Sequence, residues 1–285
     1  GCRMNRIRGI VGSSAVAAGS TARAAGSAAT TAGPTAGAAG DARPLRWPLL
    51  AALALINAVN PLSIDVFLAA FPTMARELHT TPATVQLTLT TYLIGMACGQ
   101  FVIGPVSDSL GRRRPLVIGT LGCLAASVAC ALAPTIGLLV AARCVQGFAA
   151  AAGVVTARAV IADLTGDEQT ARVMNLMMII MAVAPIVGPV LGGVVFTALG
   201  WRAVLWSVAL AVAVMAAGAL LVVPESLPPS RRHGGGLVQL VSGMRAVVTD
   251  RVYLGYMLTA VLGFGTLFAY ISSSSFVVQE VLGLG

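Results

Sequence analysis

Beyond Arg46 the chain is a succession of long apolar blocks parted by short polar breaks, a rhythm that predicts helices crossing a bilayer. A helix needs about 20 apolar residues to traverse a hydrocarbon core roughly 30 Å thick. About seven blocks meet that requirement: Trp47 to Ala70, Ala83 to Val106, Leu116 to Leu132, Ile136 to Ala162, Val173 to Leu199, Ala203 to Val223 and Tyr253 to Val278. Buried helices of a soluble protein would be shorter and would carry polar faces between their apolar stripes. The expected fold class is therefore an all-α membrane protein. Four segments follow from the pattern: a leader over 1–46, a bundle of six spans over 47–223, a linker over 224–251, and a seventh span within 252–285.

The leader is Ala, Gly, Ser and Thr with scattered arginines; it offers almost nothing to pack and is expected to be disordered. Arg6 and Arg8 ahead of Ile10 to Ala18 give it the outline of a signal peptide, but Gly12, Ser13 and Ser14 break the apolar run too early. The linker is marked by Pro, Gly and Arg between Pro224 and Arg251.

Composition reinforces the membrane reading, with 57% hydrophobic and 10% charged residues and a mean hydropathy of +0.90. Soluble domains carry about 25% charge. The formal charge of +8 does not point to nucleic acid, because the basic residues form no stripe interleaved with aromatics. Instead they set orientation. The leader arginines, Arg46, Arg112 to Arg114, Arg158, Arg172, Arg231, Arg232, Arg245 and Arg251 fall on one side of the span map, and only Arg76 and Arg202 on the other. The arginine-rich side is cytoplasmic by the positive-inside rule, so the N-terminus is expected inside. A seven-helix receptor or light-driven pump would need an outside N-terminus, and the retinal form a lysine, of which the chain has none. The five cysteines read as small packing residues, with no disulfide, metal or cofactor expected. No nucleotide-binding loop or nucleophile constellation is present, which sets aside an ATP-driven pump and an enzyme.

Three stretches carry sharper information. Between the second and third blocks stands Gly104-Pro-Val-Ser-Asp108-Ser-Leu-Gly111-Arg112-Arg113-Arg114. Glycines permit a tight turn between closely packed helices, and arginines hold a loop in the cytoplasm. A carboxylate there can pair with an arginine or a helix N-terminus. Charge bias alone would demand no aspartate. The fourth block carries Arg143-Cys-Val-Gln146-Gly and ends at Asp163. A charge inside a span costs about 2.5–3.5 kcal/mol on insertion scales, so Arg143 should face protein or water, the alternative being to snorkel to the outer interface. The fifth block holds Pro185, then Gly188-Pro189-Val-Leu-Gly192-Gly193, where small residues let helices approach and proline bends them.

Taken together these stretches resemble the signature loop, the fourth-span motif and the antiporter motif of the major facilitator superfamily. Ser63-Ile-Asp65-Val-Phe-Leu-Ala-Ala-Phe-Pro72 and Gly200-Trp-Arg202 are similar to patterns of its bicyclomycin- and chloramphenicol-resistance (Bcr/CflA) exporters, although Ala69 and Ser275 stand where prolines are common. The resemblance covers Trp47 to the end. It implies the major facilitator fold, with an N-terminal six-helix bundle, a seventh helix and most of a C-terminal half missing from this sequence. It also implies a bacterial inner-membrane exporter, expected as a monomer, that exchanges a small lipophilic drug for protons by alternating access. By the resemblance, Asp108, Arg112 and Arg113 belong to a cytoplasmic gate in which Arg112 pairs with Asp163, and Arg143 and Gln146 face the central cavity. The alternatives are an inactive fragment of such an exporter, the outcome expected of this chain by itself with five spans absent, or a carrier for another small solute.

Depth arithmetic singles out Asp65 independently. Counted from Leu49 at 1.5 Å per residue it lies about 24 Å along the first span, and Arg143 about 10 Å into the fourth from the opposite direction, so the two are expected within reach. Desolvation favours the neutral acid and a neighbouring arginine the carboxylate; opening the site to either side would then change its proton occupancy. Asp65 and Arg143 are the expected proton-coupling residues, a purely structural ion pair being the alternative. Polarity within spans adds Asn57, Asn60, Tyr92, Gln100 and Gln146 as expected cavity residues.

Overall fold

The computed structural model describes residues 46–232 and 249–276, apart from the side chains of Ala69, Phe268 and 271–276. The leader and most of the linker lie outside the described residues. Every regular element among the described residues is helical. The helices are α1 (Trp47–Asp65), α2 (Phe71–Glu77), α3 (Pro82–Leu110), α4 (Arg113–Leu132), α5 (Ile136–Leu164), α6 (Asp167–Leu199), α7 (Trp201–Val222) and α8 (Arg251–Phe276). Among the described residues, six of them, α1 and α3 to α7, are long and apolar enough to cross a membrane.

Local chemistry sets the ends. Thr81 caps α3 by accepting from the Thr84 amide at 3.2 Å, with Pro82 opening the helix where its missing N–H costs nothing. Thr135 does the same for α5 through Leu138. Asp167 and Glu168 occupy the first turn of α6, where the helix dipole favours negative charge. Between α3 and α4 the chain reverses at Gly111, whose φ of +93° is open to glycine and strained for other residues.

Several boundaries differ from the hydropathy reading. The first block does not run as one helix to Ala70: α1 stops at Asp65, and after a 3-10 turn over Leu68–Ala70 the chain resumes as α2. At this break Ala70 bonds back to Phe67 and not to Val66, and the Val66 carbonyl instead lies against the backbone of α6. The signature stretch is also less of a loop than expected. Gly104 to Leu110 are helical, and a side chain added at Gly104 would meet open space, so that glycine answers no close approach. α3 extends this far because Pro105 removes a single hydrogen bond and the polar residues after it can leave the hydrocarbon while still helical.

The bundle is organised on α5, which packs against both α3 and α4, while α1 packs against α6 and α7, and α4 against α7. Where α3 and α5 cross, a Cβ on Gly95 would overlap the Cys144 carbonyl and one on Gly147 the Tyr92 carbonyl. Such backbone contact is how helices associate without a hydrophobic drive between them. Core side chains include Leu53, Ile56, Phe67, Phe71, Met74, Leu116, Leu139 and Ile161. α6 is the least buried of the six, exposing Met178, Ile179, Ile186, Val190 and Val194. From Arg251 to Leu267, α8 is exposed at every residue but Leu254.

Candidate functional site

Arg143 is fully buried and lies at the meeting of α1, α3, α4 and α5. Its Nη1 donates to Gln146 Oε1 at 2.7 Å, and its Nη2 to the Ser63 carbonyl at 3.0 Å. The guanidinium carbon lies 4.1 Å from the Phe67 ring centre and 4.8 Å from that of Tyr92, so two aromatic faces add to its solvation. Its Nε has no acceptor. Gln146 is itself fixed: its Nε2 donates to Ser127 Oγ at 2.7 Å, and that hydroxyl donates to the Cys123 carbonyl at 2.7 Å. With its proton committed there, Ser127 can only accept from Gln146, and the amide must turn its oxygen towards Arg143. Cys130 Sγ, 3.9 Å away, approaches the same oxygen.

Asp65 stands apart from this cradle. It is buried at the last residue of α1, and a Cβ on Gly188 of α6 would lie 2.9 Å from its own Cβ. The structural ion pair that stood as the alternative is not made: Arg143 bonds the Ser63 carbonyl, and among the described residues no ion pair of Asp65 is found. Helix geometry gives the reason. Asp65 lies two residues beyond Ser63, about 200° further round α1, and so faces α6 while α5 delivers Arg143 to the other side.

The remaining expected cavity residues divide. Tyr92, buried, donates its hydroxyl to Asn60 Oδ1, and Asn60 Nδ2 contacts Met96 Sδ at 3.2 Å. Asn57 is buried and spends its amide on the Met177 carbonyl of α6 at 3.0 Å, a tie between helices. Gln100 is exposed, one turn beyond Met96. In the Pro185 to Gly193 stretch, Gly188 and Gly192 form the contact with α1, a Cβ at Gly192 overlapping the Val66 carbonyl, whereas Gly193 meets open space and Pro185 and Pro189 are exposed.

A second polar cluster sits at the Gly111 end of the bundle. Arg112 pairs with Asp108 one turn back, donates from Nε to Asp163 at 3.0 Å, and reaches Ser107 Oγ at 2.8 Å. The expected Arg112–Asp163 pair is thus present. Burial works against the charge of Arg112, but hydrogen bonds to Asp163 and Asp108, with their charges, outweigh it and hold the guanidinium above its ordinary range. Ser226 also donates to Asp163, and Arg113 Nη2 to the Leu220 carbonyl.

Glu225 was not among the expected residues. Its carboxylate accepts from the amides of Arg112 at 2.8 Å and Arg113 at 3.3 Å, and Arg232 lies 3.8 Å away. It supplies a negative charge to the start of α4, which has no side-chain cap of its own. A lone acid directly after the sixth apolar block, on the arginine-rich side, was the available signal. At the opposite end Trp201 Nε1 donates to Glu77 Oε2 at 2.7 Å, with Arg202 stacked on the indole.

Comparison with known proteins places the chain as a whole. The Major Facilitator Superfamily pattern matches residues 53–285. An uncharacterized MFS-type transporter of Bacillus subtilis, YdgK, is 37% identical over 84% of this chain and 60% of its own length. A bicyclomycin resistance protein homolog of Haemophilus influenzae is 31% identical over 82% of this chain and 59% of its own. A chloramphenicol resistance protein of Pseudomonas aeruginosa is 36% identical over 64% and 44%. The chain spans about 60% of the length of the first of these relatives. In fold it is similar to the human organic anion transporter MFSD10 (TETRAN), with a TM-score of 0.59 over 85% of this chain and 67% of that one at 15% identity. An apolar six-helix bundle, the Asp108–Arg112–Asp163 cluster and a match over residues 53–285 agree, and the chain belongs to the major facilitator superfamily.

Proposed function

We propose that this chain supplies the first bundle of a proton-coupled exporter of small lipophilic compounds, of the kind that gives bicyclomycin or chloramphenicol resistance. The observation that carries the reading is the buried Asp65 at the break of α1, packed on Gly188 and two residues from the peptide that holds Arg143. A carboxylate placed there against the insertion cost, beside a break that can move, suits a group that gains and loses a proton as the bundle rocks. Arg112 with Asp108, Asp163 and Glu225 would serve as the inner gate, since all four can part without leaving a charge in hydrocarbon. Their place on the arginine-rich side makes that side cytoplasmic in this reading. In the full-length transporter, Asp65→Asn should abolish drug-driven proton flux in proteoliposomes while membrane insertion is kept. Unchanged coupling would overturn the reading.

A second reading, export of an anionic compound, is favoured by Arg143, which has no carboxylate partner among the described residues and a free Nε. Uptake assays with a lipophilic cation and a lipophilic anion at equal driving force separate the two.

A further inference from the structure

A crevice of about 200 Å³ opens between α1, α6 and α7. We propose that it binds one acyl chain of a membrane phospholipid. Its floor is Val59 and Ser63 of α1, Val66 just beyond the end of α1, and Val208 of α7, all buried, and its mouth is at Leu191 of α6, which is 51% exposed. Leu191 and Val195 lie about 12 and 6 Å before the end of α6, and Ser207 and Ala211 about 9 and 15 Å into α7, at 1.5 Å per residue. The crevice therefore sits at hydrocarbon depth in the leaflet on the Gly200 side.

The occupants it excludes define the one it takes. Water needs two or more polar partners, and the two hydroxyls of the lining have already spent their protons, Ser63 on the Val59 carbonyl and Ser207 on the Val204 carbonyl, each at 2.7 Å, leaving water only their lone pairs in a lining otherwise apolar. Drug-sized ligands occupy pockets of roughly 300–1,000 Å³ with convergent polar groups, and this crevice is smaller and has none to offer. It lies, however, beside exposed apolar residues of α6 and α7, Val194 and Leu210, on two helices of membrane length. The medium at that surface is hydrocarbon chain. A void left empty would forfeit dispersion contacts along its whole lining, and a methylene chain restores them without desolvating anything.

The floor gives the site a consequence. Ser63 presents its carbonyl to Arg143, and the Val66 carbonyl lies against Gly192, so a chain seated in the crevice braces the turn of α1 that ends at Asp65. Lipid in this crevice would hold the break in the conformation described.

The test uses the full chain in vesicles of phosphatidylethanolamine and phosphatidylglycerol, doped with a phosphatidylglycerol bearing a diazirine on one acyl chain. After irradiation, adducts are mapped by peptide mass spectrometry. Adducts are expected to concentrate on the Leu191–Val195 and Ser207–Ala211 stretches above the level at Ile118, an exposed residue of α4. Ala211→Trp, which fills the crevice, should lower them to that level, and Leu191→Ala, which widens the mouth, should preserve them. Ser207→Phe is a second filling variant should the first fail to fold. Labelling equal to that at Ile118 in the unaltered chain, or persisting in a folded filling variant, overturns the proposal. Displacement of the label by excess tetraphenylphosphonium would assign the crevice to drugs and overturn it equally.

Discussion

Arg112 and Arg143 are each held by a side chain about one turn away on the chain and by a group from another helix, yet the partners are of opposite kinds. Arg112, near the surface, meets the carboxylates Asp108 and Asp163. Arg143, at the centre of the bundle, meets an amide oxygen, a peptide carbonyl and two aromatic faces. Near water an ion pair sheds little hydration and contributes little, typically up to about 1 kcal/mol, and it can open and close. Inside, neutral acceptors satisfy the donors without cancelling the charge, so the bundle keeps a positive centre that an acid or a solute can answer. Losing an acceptor there leaves a charged donor with nowhere to turn.

Substitutions at four places test that contrast, beginning with the largest expected effect. Gln146→Leu should destabilise the bundle by about 3 kcal/mol, because it strands Nη1 of a fully buried guanidinium. Denaturant unfolding in mixed micelles measures it, and a cost no greater than that of a surface pair would remove the contrast. Ser127→Ala should cost about 1–2 kcal/mol by orphaning Gln146 Nε2, with Ser127→Thr restoring most of it. Combined with Gln146→Leu, it should add almost nothing, which a double-mutant cycle would show.

At the surface the effects shrink. Glu225→Ala should cost about 1 kcal/mol as α4 loses the carboxylate at its first amides, and Glu225→Gln less, since an amide oxygen still accepts. Amide hydrogen exchange at Arg112 and Arg113 reports the change locally. Reversing Arg112 and Asp163 together should recover about 0.5 kcal/mol of what the single reversals lose. Recovery stays partial because Asp108 and Ser226 are still in place for the original charges.

Much of the bundle was legible in the apolar blocks because a span writes its length directly into hydropathy. The six membrane-length helices follow those blocks with ends shifted by a few residues. The end of α1 was not legible: its break lies inside an apolar run, and what permits it is the bare backbone of Gly192 on another helix. The Arg112–Asp163 pair was open to reading through the resemblance, with both residues on the arginine-rich side of the span map. Arg143 and Asp65 were placed at compatible depths by counting, but depth says nothing about azimuth, and the two face different helices. Ser127 and Glu225 were missed for a common reason. Each acts on a group far off in sequence, and nothing in its own neighbourhood distinguishes it from an ordinary serine or linker acid.

Glu225 also turns part of the linker into a ruler. Only Val223 and Pro224 separate the last helical residue of α7 from the carboxylate that binds the first amides of α4, and proline holds one of those two nearly rigid. One residue inserted there would swing the acid off its target, while one deleted would pull it short. Surface connections between helices usually tolerate changes of length. Here residues 223–225 have a fixed measure, and an insertion among them should be tolerated less well than one beyond Arg232, the last of the described linker residues to contact Glu225.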